Sequence, residues 1–192
     1  MKFWQAITWA ETDQLIEIAK FAEDVGFHGL MSGDHAVYPE SIVPDYPYSE
    51  NGMPPMQPDD EYPDQTAIFG AMAAVTTQLK FVCGVYVLPL RNPIEVAKAC
   101  ATLAILSEGR FILGAGAGWM REEFDIYGVE FATRGKRLNE MLDVLQALWQ
   151  PGMVEHHGEF FDFPPIRLSP APDHPIPIYI GGANKLALRR TS

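Results

Sequence analysis

The residues best suited to chemistry come in pairs, each directly after a short apolar run of the sequence. The pairs are Asp34 and His35, Gly118 and Trp119, and Gly181 and Gly182. A histidine exchanges protons near neutral pH, and glycines let a backbone approach a ligand closely. If the apolar runs are parallel strands, their carboxyl ends meet at one edge, where α/β enzymes bind their ligands. The spacing therefore predicts a site that joins one proton-transfer group to a close backbone contact.

Metal catalysis and serine nucleophile chemistry lack the motifs that they need. His156 and His157 are adjacent and would point in opposite directions from an extended chain, and His174 lies among prolines. The sequence contains no HxH, HExxH or GxSxG pattern. We therefore expect no metal site.

Charge and composition narrow the class of partner. The chain has 192 residues, with 25 acidic and 14 basic side chains and a formal net charge of −11. This balance disfavours nucleic acids and anionic membranes, which basic patches recognise. Hydrophobic residues make up 47% of the chain, enough for a buried core. A small-molecule substrate is the expected partner.

The expected location is the cytoplasm. Cys83 and Cys100 lie in apolar surroundings without a CxxC pattern, which is typical of buried thiols in a reducing compartment. The N-terminal residues are too polar for a signal peptide. No run of about 18 apolar residues suggests a membrane span.

Apolar runs alternate with amphipathic segments along the chain. The predicted strands are Phe3–Thr8, Leu30–Met31, Phe81–Leu88, Phe111–Gly116 and Ile176–Ile180. The predicted helices are Asp13–Val25, Asp64–Thr76, Pro93–Ser107 and Arg134–Trp149. Asn92 before Pro93 and Asp64 before its helix are typical amino-terminal caps.

Strands that are apolar on both faces and alternate with helices predict a parallel sheet covered by helices. The two candidate folds are a doubly wound sheet and a (β/α)8 barrel. A dinucleotide-binding sheet needs GxGxxG after its first strand, where this chain has no glycine. Gly114, Gly116 and Gly118 follow the fourth strand instead, with Trp119 next in line. The barrel is therefore the favoured member of the α/β class.

Two proline-rich windows interrupt this pattern, residues 36–63 and 151–177, and they hold 14 of the 16 prolines. The first window has six acidic residues and no Lys or Arg. A long insertion of this kind is either a solvated loop or a functional lid. Its four tyrosines favour a mobile lid over the site, ordered only when a cofactor or partner is present. The second window is interpreted as a loop.

Four segments resemble the luciferase-like monooxygenase superfamily, and more narrowly its coenzyme F420-dependent oxidoreductases. They are GDHAVYPE (Gly33–Glu40), LPLRNPIEV and its continuation to Phe124 (Leu88–Phe124), RGKRLNEMLDVLQALW (Arg134–Trp149) and PIPIYIGG (Pro175–Gly182). The resemblance covers essentially the whole chain. It implies a single (β/α)8 barrel domain over residues 1–192, with a flavin or deazaflavin ring across the carboxyl ends of the strands.

The resemblance also implies roles for individual residues. His35 would be the catalytic acid or base beside the ring. A cis peptide bond between Gly84 and Val85 would support the ring from the third strand. The implied cofactor-binding residues are Asp34, Gly84, Val85, Gly116, Gly118, Trp119, Gly181 and Gly182. Related sugar-phosphate dehydrogenases have a glutamate where this chain has Trp119. Glu122 and Glu123 are interpreted only as carboxylates favoured by a helix dipole.

Length limits how much of the barrel is expected. A complete barrel takes about 250 residues, and outside the two windows this chain has enough residues for only about the first five βα units. We therefore expect a truncated member whose first and fifth strands have open edges. Such edges favour association, so a homo-oligomer, a dimer, is expected.

The leading functional hypothesis is hydride transfer between C5 of the deazaflavin coenzyme F420 and an organic substrate that the sequence does not identify. The alternative within the same family is a monooxygenase that uses reduced FMN and oxygen. An alternative of another class is a non-catalytic binding or assembly subunit.

Overall fold

The computed structural model describes residues 1–182 and 185–190, in which helices pack against a parallel sheet. The strands are β1 (Trp4–Ala6), β2 (Gly29–Ser32), β3 (Lys80–Cys83), β4 (Tyr86–Val87), β5 (Phe111–Gly116), β6 (Val154–His157), β7 (Asp162–Ile166) and β8 (Ile178–Ile180). The helices are α1 (Leu15–Asp24), α2 (Gln65–Ala73), α3 (Pro93–Leu106), α4 (Arg121–Ile126), α5 (Arg134–Leu148) and α6 (Lys185–Arg189). Single 3-10 turns cover Thr12–Gln14, Leu88–Leu90 and Phe131–Thr133. The expected α/β class with a parallel sheet is confirmed.

β3 and β4 share one position in the sheet. Both pair with β5, through Phe81 opposite Phe111 and Tyr86 opposite Ala115. The prediction of one continuous strand from Phe81 to Leu88 is wrong, because the ladder is interrupted between β3 and β4. The Gly84–Val85 peptide bond lies in this interruption and is cis, as predicted.

Within the described residues the sheet stays open. Its strand positions run in the order β1, β2, β3 with β4, β5 and β8. β1 pairs only with β2, and β8 pairs only with β5, so each has an outer edge without a strand among the described residues. A closed eight-stranded barrel is not formed by these strands, and the expected number of βα units stays a prediction.

The core lies between the sheet and the helices. Phe69 of α2 packs between Phe81 and Phe111, with ring centroids 5.6 and 6.5 Å away. The predicted apolar stripe of α5 is buried in the same cluster, through Leu138, Met141, Leu142, Leu145 and Leu148. Burial of each such side chain contributes about 1.5–3 kcal/mol, so this stripe holds α5 against the sheet.

The helix starts follow the capping signals of the sequence. The Asp64 carboxylate accepts a hydrogen bond of 2.9 Å from the Ala67 amide at the start of α2. The Asn92 side chain accepts one of 2.9 Å from the Ile94 amide at the start of α3. Caps of this kind stabilise a helix by about 1 kcal/mol.

A buried arginine fixes the amino-terminal side of the sheet. The Arg110 guanidinium donates to the Thr76 hydroxyl at 2.9 Å and to the carbonyls of Ala73, Leu79 and Ser107 at 2.9, 3.1 and 2.8 Å. Burial lowers the pKa of Arg110. These bonds join the ends of α2 and α3 to the strands that follow them.

The sequence suggested that the second proline-rich window is a loop, but the structure shows that it contains two strands. β6 and β7 form an antiparallel hairpin within it, with His156 opposite Phe163 and Val154 opposite Ile166. Pro164 and Pro165 fall inside β7, because the pairing is irregular between Val154 and His156 and does not require every amide. The hairpin is anchored by Glu140 of α5, which accepts from the amides of residues 159–161.

Candidate functional site

The candidate site is a cavity of about 1090 Å³ at the carboxyl ends of the parallel strands. The sequence-predicted residues Asp34, His35, Gly84, Val85, Gly116, Gly118, Trp119, Gly181 and Gly182 all line it. A smaller cavity of about 570 Å³ lies beside β8 and α5, lined by aliphatic and polar side chains with Arg190 as its charged group. The larger cavity is therefore where the described groups with proton-transfer chemistry converge.

Glycines form one flat wall of the cavity. A Cβ atom at Gly116 or Gly181 would overlap the Val85 side chain, which lies between them. At Gly118, whose φ is +83°, a Cβ would lie 2.8 Å from both Phe124 and Val87. The missing side chains at Gly116 and Gly181 thus leave space for Val85, and the wall presents backbone and Val85 to the cavity. We name Gly84, Val85, Gly116, Gly118 and Gly181 the glycine wall.

Asp34 is tied to the sheet by a half-buried ion pair. Its two carboxylate oxygens accept from Arg91 Nη2 at 2.6 and 2.7 Å, and one also accepts the Val87 amide at 2.9 Å. The Arg91 guanidinium also lies 4.1 Å from the centre of the Tyr86 ring. Burial acts to lower the pKa of Arg91, but neighbouring Asp34 outweighs it and raises the pKa above its ordinary value. Direct contact of Asp34 with a cofactor stays a prediction.

His35 lies on the cavity surface with its ring held on three sides. Its Nδ1 atom is 3.1 Å from Oε2 of Glu123. The rings of Tyr62 and Trp119 meet it edge to face, with centroids 5.1 and 5.8 Å away. Nε2 of His35 makes no hydrogen bond to any residue within 1–182 or 185–190, and the side chain is 15% exposed. One ring nitrogen is thus engaged, and the other is open to a ligand.

Glu123 is the functional residue that sequence reasoning missed. Glu122 and Glu123 lie in the first turn of α4, as the helix-dipole interpretation expects, but both also accept specific hydrogen bonds from the insertion. Glu123 Oε1 accepts the Ala36 amide at 2.7 Å, and Glu122 Oε1 accepts the Val43 amide at 2.7 Å. The Glu123 side chain is only 2% exposed. The sequence carries no local signal for this contact, which joins α4 to the loop after β2.

The acidic insertion, residues 36–63, forms the aromatic side of the cavity. All of its residues are described, and they form no helix or strand. Tyr46 packs against Trp119 with ring centroids 4.9 Å apart, and the Tyr62 hydroxyl accepts from Trp9 Nε1 at 2.7 Å. Burial raises the pKa of both tyrosines. Mobility of the insertion stays a prediction.

Two arginines also line the cavity, Arg134 and Arg190, and we name them the cavity arginines. Arg134 donates to the carbonyls of Gly118 and Phe131 at 3.1 Å each, with its guanidinium over the Phe131 ring at 3.8 Å. Burial lowers the pKa of Arg134. The cavity therefore combines aromatic side chains, the glycine wall and two arginines, which suits a ligand with a planar ring and an anionic group.

Other candidate groups are engaged elsewhere. Among residues 1–182 and 185–190, no three His, Cys, Asp or Glu side chains lie together in a way that would hold a metal ion. His156 bonds to Glu140 and His157 to Asp162, so the two adjacent rings have separate partners, as expected. Cys83 and Cys100 are free and buried, as predicted, and burial raises the pKa of the Cys100 thiol to about 12. In the described part of the chain, no helix has both the length and the apolar character to cross a membrane.

Comparison with known protein families agrees with the resemblance found in the sequence. Residues 4–192 match the family model of luciferase-like monooxygenases. The chain belongs to this family. Its coenzyme F420-dependent relatives include the F420-dependent glucose-6-phosphate dehydrogenase of Amycolatopsis mediterranei, which is 28% identical over 179 residues covering 91% of this chain. The luciferase-like family predicted from the sequence is thereby confirmed.

Two further proteins are similar to this chain. An uncharacterized protein of Mycobacterium tuberculosis is 36% identical over 192 residues. The oxygenating constituent of 3,6-diketocamphane monooxygenase from Pseudomonas putida, solved in complex with FMN, matches with a TM-score of 0.74 at 22% identity, covering 94% of this chain. The latter likeness establishes the shared fold.

The chain is shorter than each of these proteins. It spans 67% of the Mycobacterium relative, 49% of the Amycolatopsis dehydrogenase and 51% of the Pseudomonas chain. Family members are oxidoreductases or monooxygenases, with F420 and FMN among their cofactors.

Proposed function

We propose that this protein is a cytoplasmic oxidoreductase that transfers a hydride between coenzyme F420 and a small organic substrate, with His35 as the proton donor or acceptor. The observation that carries the proposal is that His35, with one ring nitrogen open, lines the same cavity as the glycine wall. A flat redox ring needs a flat support, and the chemistry at its face needs a proton-transfer group within reach. Both belong to one cavity here.

The residues fit a deazaflavin in shape and charge. The glycine wall leaves room for a planar ring because no side chain other than Val85 projects from it. Arg134 and Arg190, which line the same cavity, would hold an anionic tail. When bound, the cofactor supplies hydride transfer at C5 of its ring.

The protein's own groups supply the rest of the reaction. His35 Nε2 would accept a proton from a substrate hydroxyl, or return one to a carbonyl oxygen. Tyr46, Tyr62 and Trp119 would exclude water from that side of the cavity and pack against the carbon skeleton of the substrate. General acid-base catalysis of this kind contributes about 10²–10⁴-fold to a rate.

The proposed architecture is a (β/α)8 barrel of which the described sheet forms the first part. Its outer strands favour association of the chain with a second copy as a homo-oligomer, a dimer. The rival cofactor is FMN, used in reduced form with oxygen, and the likeness to the FMN-bound Pseudomonas monooxygenase favours it.

Ring absorbance during titration tests the cofactor choice. Oxidised and reduced F420 and FMN are each added to the full chain, and saturable binding of F420 is expected. Gly181→Ala, whose methyl group would displace Val85, is expected to weaken F420 binding by about tenfold or more, which corresponds to about 1.4 kcal/mol. Gly70→Ala, in α2 and outside the cavity, is the matched control and leaves affinity unchanged.

Two outcomes of this titration contradict the proposal. Saturable binding of FMN with no binding of F420 favours the monooxygenase. Binding of neither cofactor by folded protein favours a non-catalytic binding or assembly subunit.

A further inference from the structure

We infer that Glu123 is a positioning residue that fixes the tautomer of His35, so that the neutral ring carries its proton on Nδ1 and offers a bare Nε2 to the cavity. The inference rests on the proposed function only for its catalytic meaning. The tautomer itself follows from the hydrogen bonds of these two side chains.

The first step is the pairing of atoms. Glu123 Oε2 lies 3.1 Å from His35 Nδ1 in a site where the carboxylate is 2% exposed. An ionised carboxylate only accepts hydrogen bonds, so the nitrogen that faces it must donate. In a neutral imidazole the other nitrogen is then an acceptor, and here that nitrogen is Nε2.

The second step is the orientation of the carboxylate. Glu123 Oε1 accepts the backbone amide of Ala36 at 2.7 Å. A backbone amide can only donate, so it holds Oε1 and leaves Oε2 for the histidine. The edge-to-face contacts of Tyr62 and Trp119 keep the His35 ring from turning its other nitrogen toward Glu123.

A single substitution separates this role from simple packing. In Glu123→Gln the single side-chain oxygen still accepts the hydrogen bond from the Ala36 backbone N–H, because that N–H can only donate. The NH2 group then faces His35 Nδ1 and donates to it, so Nδ1 must become the acceptor. The expected result is a switch of His35 to the tautomer with its proton on Nε2, at nearly unchanged shape and volume.

The neighbouring Glu122 provides the matched control. It belongs to the same first turn of α4, and its Oε1 accepts the Val43 amide of the same insertion at 2.7 Å. Glu122→Gln makes the same chemical change one residue away without touching His35. It is expected to leave the tautomer as in the unmodified protein.

Long-range ¹H–¹⁵N correlation NMR on the full chain, without cofactor, reads the tautomer directly. The protein has five histidines, and the signal lost in His35→Gln assigns the one of interest. The expected spectra place the proton on Nδ1 in the unmodified protein and in Glu122→Gln, and on Nε2 in Glu123→Gln. A proton on Nε2 in the unmodified protein, or on Nδ1 in Glu123→Gln, overturns the inference. If Glu123→Gln fails to fold, the spectrum of the unmodified protein still decides.

This test and the test of function fail separately. A protein that shows the expected tautomers but binds neither F420 nor FMN retains the positioning role of Glu123 and loses the proposed reaction. A protein that binds F420 with the opposite tautomer retains the cofactor and loses the role of Glu123.

Discussion

Asp34 and His35 are neighbours in the chain, but they differ in how far their side-chain atoms are engaged in hydrogen bonds. The Asp34 carboxylate accepts from Arg91 and the Val87 amide, so it fixes the end of β2 relative to β4. His35 keeps one ring nitrogen open to the cavity and shares the other with Glu123. Removing one partner of such an ion pair destabilises a protein, so Asp34 is expected to matter for the fold and His35, under the proposed function, for proton transfer.

His35→Gln is expected to lower turnover by about 100-fold or more, while the dissociation constant of the cofactor stays within several-fold. The reason is that the substitution removes a proton-transfer group but leaves the glycine wall and the two cavity arginines intact. Steady-state kinetics and cofactor titration measure the two effects. His157→Gln is the control, because that ring is exposed and bonds only to Asp162 among the described residues. Unchanged turnover in His35→Gln would make His35 a structural residue.

The sequence predicted the histidine and the glycines of the candidate site, but it did not predict the contribution of the Glu123 carboxylate. Residues such as His35 and Gly181 follow apolar strands directly, so the topology of a parallel sheet brings them to one edge. Glu123 meets His35 across 88 positions of sequence. Nothing in the local pattern around α4 distinguishes a carboxylate that accepts from a distant loop from one that only faces solvent.

At the scale of elements, close approach of β3 and β5 depends on one glycine. A Cβ at Gly114 would overlap the carbonyl oxygen of Cys83, which belongs to β3. The sequence signals for helices were accurate because caps are local, as at Asp64 and Asn92. The interruption between β3 and β4 was missed because it depends on pairing with β5, which is remote in the chain. The hairpin of β6 and β7 is local, and it was missed because prolines, which are rare within strands, fall inside β7.

Gly114→Ala is expected to destabilise the protein by at least about 2 kcal/mol, since the backbone of β3 must move to make room. Gly70→Ala is the comparison, because its Cβ would meet nothing within 4 Å inside α2. That change is expected to stabilise the helix by about 0.5–1 kcal/mol. Urea denaturation gives both free energies of unfolding. Equal effects of the two substitutions would disprove the close approach of the strands.

A carboxylate of α1 gives stability a predictable dependence on pH. Burial acts to raise the pKa of Glu23, but hydrogen bonds from the amides of Gln78, Thr77 and Leu79 outweigh it and hold the pKa below its ordinary value near 4.5. A group whose pKa is lower in the folded state stabilises it above the unfolded pKa, and this contribution disappears as pH falls through the folded value.

Glu23→Gln is therefore expected to cost about 1–3 kcal/mol at pH 6, where three amides lose charged acceptors. The difference in stability between the unmodified protein and Glu23→Gln should narrow as the pH falls below about 4.5 toward 3. Thermal melting at both pH values measures it. Glu17→Gln, on the same helix, removes an exposed carboxylate paired only with Lys20 among the described residues, and it should change stability by less than about 0.5 kcal/mol at either pH. A gap that widens on acidification would contradict the assignment.

At the scale of the whole molecule, the described sheet has two outer strands, β1 and β8. The Ile7 amide donates to Met31 at 2.8 Å, and the Phe3 carbonyl accepts from His28 at 2.8 Å. Because successive residues of a strand point their amides to opposite sides, Ala6 directs its N–H away from β2. Unpaired groups in such a row are templates for another strand.

The chain is therefore expected to sediment as a species heavier than its monomer mass of 21.4 kDa. Ala6→Pro should shift the distribution toward monomer, because proline removes a donor from the outer edge without removing a bond to β2. Thermal melting of this variant checks that the fold is retained. A compact monomer in the unmodified protein, with no dye-accessible apolar surface, would contradict association through the edges.

The placement of the tryptophans should allow ligand binding in the cavity to be followed by the protein's own fluorescence. Of the four in the chain, Trp9 and Trp119 line the cavity, whereas Trp149 is buried with its indole bonded to the Ala97 carbonyl at 3.1 Å. A bound deazaflavin or flavin absorbs where indole emits, so occupancy should quench the emission of Trp119 by energy transfer. Quenching that is reduced in Trp119→Phe and preserved in Trp149→Phe would let unlabelled protein be screened for ligands in a fluorimeter, one candidate molecule at a time.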